Sequence, residues 1–239
     1  FVSFFENMDE KSLQYFMEEL PTSFAEEIKK FLAAFDLATA KIALERNLND
    51  FFSWLKKESE KIWENLEINK IIYGFQLQKG TKWLPGLRDE QIADFEKEIG
   101  FTFPEIYKMF LRCMNGTDKE TVNVYGESGE PYKYGVGYYS YPRDIKIIKE
   151  MIDWVCEEFK ITQQELNQKE IPHIMPIISH RFFVVDRCEI NPVLSMHGND
   201  IVPYADSLNN FLFYSIFSNF GESGQQPNLP NFEVKFWLD

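Results

Sequence analysis

The sequence predicts an α+β protein, on three observations. Segments with strand alternation and segments with helical periodicity interleave without a regular strand–helix–strand repeat. Hydrophobic residues make up 44% of 239 positions, enough for a substantial core. The first 68 residues read as helix throughout, so the chain divides into an N-terminal helical segment, 1–68, and an α+β domain, 69–239.

In the N-terminal segment, Leu13, Phe16, Met17 and Leu20 follow helical spacing until Pro21 breaks the run. Ser23 and Glu26 make a capping-box pattern ahead of the stripe Phe24, Ile28, Phe31, Leu32 and Phe35. A third stripe runs through Leu48, Phe51, Phe52, Leu55, Ile62 and Leu66. Each helix has one apolar face, which must be buried against its neighbours, the following domain or a partner.

From Lys70 the pattern changes to alternation (KIIYGFQL), a strand signal, followed by a loop over 80–86 that holds Trp83 and Pro85. Residues 86–116 then predict two short helices joined by a tight corner. Asp89 is placed to cap the first, whose face carries Ile92, Phe95 and Ile99; Gly100 stops it. Pro104 opens the second at a position that needs no N–H. Ile106, Tyr107, Phe110 and Leu111 give that helix a wide apolar face, and Asn115-Gly116 reads as a left-handed exit.

A strand is expected at 121–126, and a helix from about Asp144 on Ile148, Ile152, Val155 and Phe159. Thr162 and Glu165 repeat the capping-box pattern before a second short helix. Strands are expected near 174–178, 181–186, 192–196 and 201–204, then a helix capped by Asp206 with Leu208, Phe211 and Leu212. Phe232, Val234, Phe236 and Leu238 alternate as a closing strand.

Acids outnumber bases by 38 to 25, a net charge of −13. Such a surface repels nucleic acid and anionic membrane and attracts basic partners. The opening residues FVSFFENMDEKS lack a basic start, a long apolar centre and a cleavage site, so no secretory signal is expected. No apolar run reaches membrane-spanning length. Cys113, Cys156 and Cys188 are odd in number and scattered, which fits reduced thiols in a cytoplasmic protein.

Catalytic signals are sparse. His173, His180 and His197 show no metal-ligand spacing. His180, Asp186 and Cys188 share strand parity, but no oxyanion donor or orienting partner accompanies them. Gly135-Val136-Gly137 lacks the helix start that a phosphate loop needs. The sequence therefore predicts no enzyme, no metal and no cofactor.

The stretch 125–143 is the richest candidate for binding. Tyr132, Tyr134, Tyr138 and Tyr139 supply rigid contact area with polar tips, which suits protein interfaces. Asp118, Glu120, Glu127 and Glu130 lie close by as steering charges for a basic protein. The same pattern also fits a hairpin whose tyrosines pack on the sheet and lean outward.

The residues Pro85, Gly86, Ile92, Phe95, Glu96, Ile99, Gly100, Phe103, Pro104, Tyr107, Phe110, Leu111, Asn115 and Gly116 form a pattern that resembles the start of the SUKH superfamily. A second block, from Pro172 through Phe182–Asp186 and Pro192-Val193-Leu194 to Ala205–Leu208, is also similar to that superfamily. Members include a yeast regulator of cell-wall glucan synthesis and many bacterial immunity proteins. The resemblance implies a bent, largely antiparallel sheet with helices packed on one side. It also implies a non-catalytic, cytoplasmic immunity protein that occludes a bacterial polymorphic toxin, with a nuclease a natural basic target. The alternative it implies is a regulatory scaffold that recruits cellular proteins through its N-terminal helices. Gly86, Phe95, Gly100, Pro104 and Tyr107 are assigned to the fold.

Overall fold

A computed structural model describes residues 48–70, 74–124, 132–217 and 229–239. The first two N-terminal stripes, and Glu127 and Glu130, lie outside them. The described residues form helices α1 (Leu48–Glu64), α2 (Asp89–Ile99), α3 (Glu105–Cys113), α4 (Ile145–Glu158), α5 (Gln163–Gln168) and α6 (Leu208–Phe217). The strands are β1 (Trp83–Pro85), β2 (Met114–Thr117), β3 (Thr121–Asn123), β4 (Lys133–Gly135), β5 (Ile174–Ile178), β6 (Arg181–Val184), β7 (Val193–His197) and β8 (Asp200–Ala205). The protein is α+β, and every strand pairing among the described residues is antiparallel.

Helix α1 buries Phe51, Phe52, Leu55, Ser59 and Trp63, one side of an amphipathic helix. Phe52 meets Phe110 of α3 edge-on at 5.9 Å, and Trp63 meets Trp83 of β1 at 5.2 Å. The Trp83 indole N–H donates to Ser59 Oγ at 2.8 Å. Trp54 reaches Phe213 and Phe217 of α6. The boundary expected at residue 68 thus falls behind a helix that already shares the core of the following domain.

The helix pair forms as its residues dictate. Gly100 takes φ 91° and its N–H donates to the Glu96 carbonyl, closing α2. Glu96 also ties the corner: its carboxylate accepts the Phe103 N–H at 2.6 Å and pairs with Lys108 at 2.8 Å. Pro104 caps α3 from just outside it. The α2 cap itself is Arg88, whose N–H donates to Gln91 Oε1, and Asp89 turns instead to Arg112 at 2.8 Å. A Cβ at Gly86 would stand 1.9 Å from the Arg112 carbonyl oxygen, so only glycine lets this backbone cross the end of α3.

Among the described residues three sheets are present: β1–β2, β3–β4 and β5–β6–β7–β8. Residues 138–139 stitch the first to the third. The Thr117 N–H donates to the Tyr138 carbonyl at 3.2 Å, and the Tyr139 N–H donates to the Ile177 carbonyl at 3.1 Å. Gly116 makes this crossing possible. It has φ 72°, and a Cβ there would lie 2.6 Å from the carbonyl oxygens of both Tyr138 and Tyr139. Asn115-Gly116 is therefore no helix exit: Met114 is already extended, α3 passes straight into β2, and the positive φ serves the close approach.

Two other expectations change. The alternation from Lys70 yields, among the described residues, a single bridge from Gln76 to Val122. The loop after it supplies β1 instead, because Trp83 is buried between α1 and α3. The C-terminal alternation is not a strand either. Val234 and Trp237 are buried at a spacing of three in a turn, and the Trp237 indole N–H donates to the Pro172 carbonyl at 2.8 Å.

Candidate partner-binding surface

β3 and β4 form a short hairpin pair with Val122 opposite Tyr134. Val122 also bridges Gln76, exchanging both backbone hydrogen bonds at 2.8 and 2.9 Å. Gln76, Val122 and Tyr134 therefore share one face, and Lys133 and Gly135 occupy the other. Phe75 lies across Gly135, where a Cβ would stand 3.0 Å from its ring. Val122 is buried, but Tyr134 is 51% exposed and Tyr132, just before β4, is 55% exposed. Aromatic rings held at an edge in this way are the contact type expected of a protein interface.

The four tyrosines do not form one surface. Tyr138 is 2% exposed, with its ring 4.6 Å from Trp83 and its hydroxyl 3.2 Å from Ser215 Oγ of α6. Burial pushes its phenol well above the ordinary range. This corrects the expectation that Tyr138 is a contact residue: the 138–139 crossing places it in the core. Tyr139 is half-buried, its hydroxyl donates to the Ser179 carbonyl, and burial pushes its phenol up to about 12. Tyr132 and Tyr134 are the two that face solvent.

Asp118 and Glu120 are exposed in the β2–β3 connection. Asp118 clasps Lys82: its carboxylate accepts the Lys82 N–H at 2.7 Å and its own N–H donates to the Lys82 carbonyl. Glu120 directly precedes β3, two residues from Val122. Lys119 lies between them, its ammonium donating to the Lys79 carbonyl. Arg143 feels both acids, although its guanidinium is held charged first by the Asp144 carboxylate at 2.8 Å.

Sequence reasoning missed the polar residues that secure the segment carrying these tyrosines. The Asn115 amide donates to the Tyr141 carbonyl at 2.6 Å and accepts the Tyr141 N–H at 2.9 Å. Burial pushes the Asp144 carboxyl up, but hydrogen bonds from Arg143 and from the Ser140 N–H and hydroxyl outweigh it and leave it below the usual range. Asn115, in its Asn-Gly pair, looked like a turn residue, which concealed this role.

The residues grouped by strand parity separate. Asp186 faces His173, accepting its backbone N–H and lying 2.8 Å from its Nδ1. His180 instead meets Ser179 and His197. Burial pushes the Cys188 thiol up to about 11. Among the described residues no three His, Cys, Asp or Glu side chains are grouped to hold a metal ion, and no helix is long and apolar enough to cross a membrane.

Antiparallel sheets stitched together at the Gly116 crossing, with a helix pair whose corner runs from Gly100 to Pro104, define the class of domain. The chain belongs to the SMI1/KNR4 family (SUKH-1), whose model matches residues 86–214, more than half of the sequence. Helix α1 lies ahead of the matched region although it contributes to the same core. Neither the curated proteins nor the solved structures compared with the chain gave a match.

Proposed function

We propose that this protein acts without catalysis, as an immunity protein that binds a bacterial toxin domain and blocks its working surface. Membership of the SMI1/KNR4 family is consistent with immunity or regulator-like roles. The observation that carries the reading is the pair Tyr132 and Tyr134, presented to solvent on a short hairpin whose first strand follows the exposed acids Asp118 and Glu120. Buried aromatic anchors dominate interface energetics, and a net charge of −13 speeds encounter with a basic target. A nuclease is such a target, because it must approach phosphate.

Co-expression with the product of the neighbouring gene tests the proposal. A stable complex that abolishes that product's toxicity is expected. A neighbour with no toxin domain, together with co-purification of a cell-wall or signalling protein, would favour the scaffold alternative and overturn the immunity reading.

A further inference from the structure

The hairpin holds more than exposed rings. Val122 commits both its N–H and its C=O to Gln76, so the Val122–Tyr134 pair is one of the non-hydrogen-bonded pairs of the β3–β4 ladder. Alternation then turns the Tyr134 N–H and C=O away from β3, toward the outer side of β4. β4 is the last strand of that sheet, and no hydrogen bond reaches these two groups among the described residues. The edge therefore offers one donor and one acceptor at the residue whose ring is half exposed.

We propose that β4 is a strand-addition site that accepts an extended segment of a partner protein, antiparallel, with a lysine or arginine opposite Tyr134. An added residue opposite Tyr134 exchanges both backbone hydrogen bonds with it, which places its side chain about 5.5 Å away, Cα to Cα, on the Tyr134 face. Lys133 belongs to the opposite face by alternation, so it does not repel a cation there. A cation there would lie over the Tyr134 ring. The protein already uses this contact internally, where the Arg181 guanidinium sits 4.1 Å from the Tyr204 ring centroid. A second copy suits the edge less well, because each chain carries a charge of −13.

This inference rests on the partner-binding reading but has its own test. The probe is a seven-residue synthetic peptide alternating valine and lysine, titrated into the full chain and followed by amide NMR. The Tyr134 amide should shift and gain protection from exchange. A version of the peptide N-methylated at its central lysine should bind about tenfold more weakly, having lost one of the two bonds and crowded the other. Replacing its lysines with glutamate should weaken binding at least as much, and so should Tyr134→Ser, which keeps the edge and removes the ring. Absence of binding, indifference to N-methylation, shifts mapped elsewhere, or a concentration-dependent dimer that buries the Tyr134 amide would each overturn it. A toxin complex that forms with the Tyr134 amide unprotected would sink the strand-addition proposal and leave the immunity reading standing.

Discussion

Asn115 and Tyr141 are joined by a reciprocal pair of hydrogen bonds, 2.6 and 2.9 Å long, in which a side-chain amide completes the backbone of a residue 26 positions away. The pair pins the 138–141 crossing to the start of β2. Asn115→Asp should destabilise the fold by about 1–3 kcal/mol, because a carboxylate keeps the acceptor but faces the Tyr141 carbonyl without a donor. The shift in urea midpoint at pH 7 measures this; an unchanged midpoint would show that the pair contributes nothing.

Two glycines with positive φ should respond differently to alanine. Gly100 has open space around its missing Cβ, so Gly100→Ala should cost only the left-handed penalty, about 1–2 kcal/mol. Gly116 meets two carbonyl oxygens at 2.6 Å as well, so Gly116→Ala should cost more, by roughly a further 1–3 kcal/mol of overpacking. Thermal or urea unfolding of the two variants gives the order, and equal losses would mean that the crossing yields easily.

The tyrosines divide by burial. Tyr138→Ala should lose about 3–5 kcal/mol, as other large aromatic truncations in cores do, and Tyr138→Phe about 1 kcal/mol through the bond to Ser215. Tyr132→Ala and Tyr134→Ala should stay within about 0.5 kcal/mol of the wild type. Melting temperatures of the four variants decide whether the core and the surface are divided as described.

Acid should weaken the fold in two separate windows. The His180 imidazole is pushed down to about 4 by burial first, and then by Arg181 and His197. Its folded value lies below the unfolded one of about 6.5, so the unfolded chain takes the proton first. This contribution is complete above about 6.5 and falls away as pH drops toward about 4. Asp144 and Asp186, held below the ordinary carboxylate range, lose theirs only at lower pH. His180→Gln should flatten the stability profile between pH 6.5 and 4.5, as followed by urea midpoints, and leave the more acidic limb intact.

Local signals carried much of the architecture. Gly100, Pro104 and the Thr162–Glu165 capping box act within a few residues of themselves, and each is found doing the job its chemistry suggests. What escaped depends on partners distant in sequence. Gly116 looked like a helix exit because the carbonyls that exclude a side chain there arrive more than twenty residues later. Tyr138 and Tyr134 belong to the same tyrosine-rich stretch, yet the crossing buries one and the hairpin edge exposes the other. The C-terminal alternation misled because Val234 and Trp237 are the buried pair, at helical rather than strand spacing. The exposed acids were legible; their neighbours Lys119 and Arg143 temper them in a way that composition does not reveal.

The most direct measurement is the affinity of the neighbouring toxin domain for the wild type and for the Tyr132→Ala/Tyr134→Ala variant, with melting temperatures taken on the same samples. An interface anchored on this hairpin predicts binding weakened at least ~30-fold at an unchanged melting temperature. Equal affinities for the two proteins would contradict it.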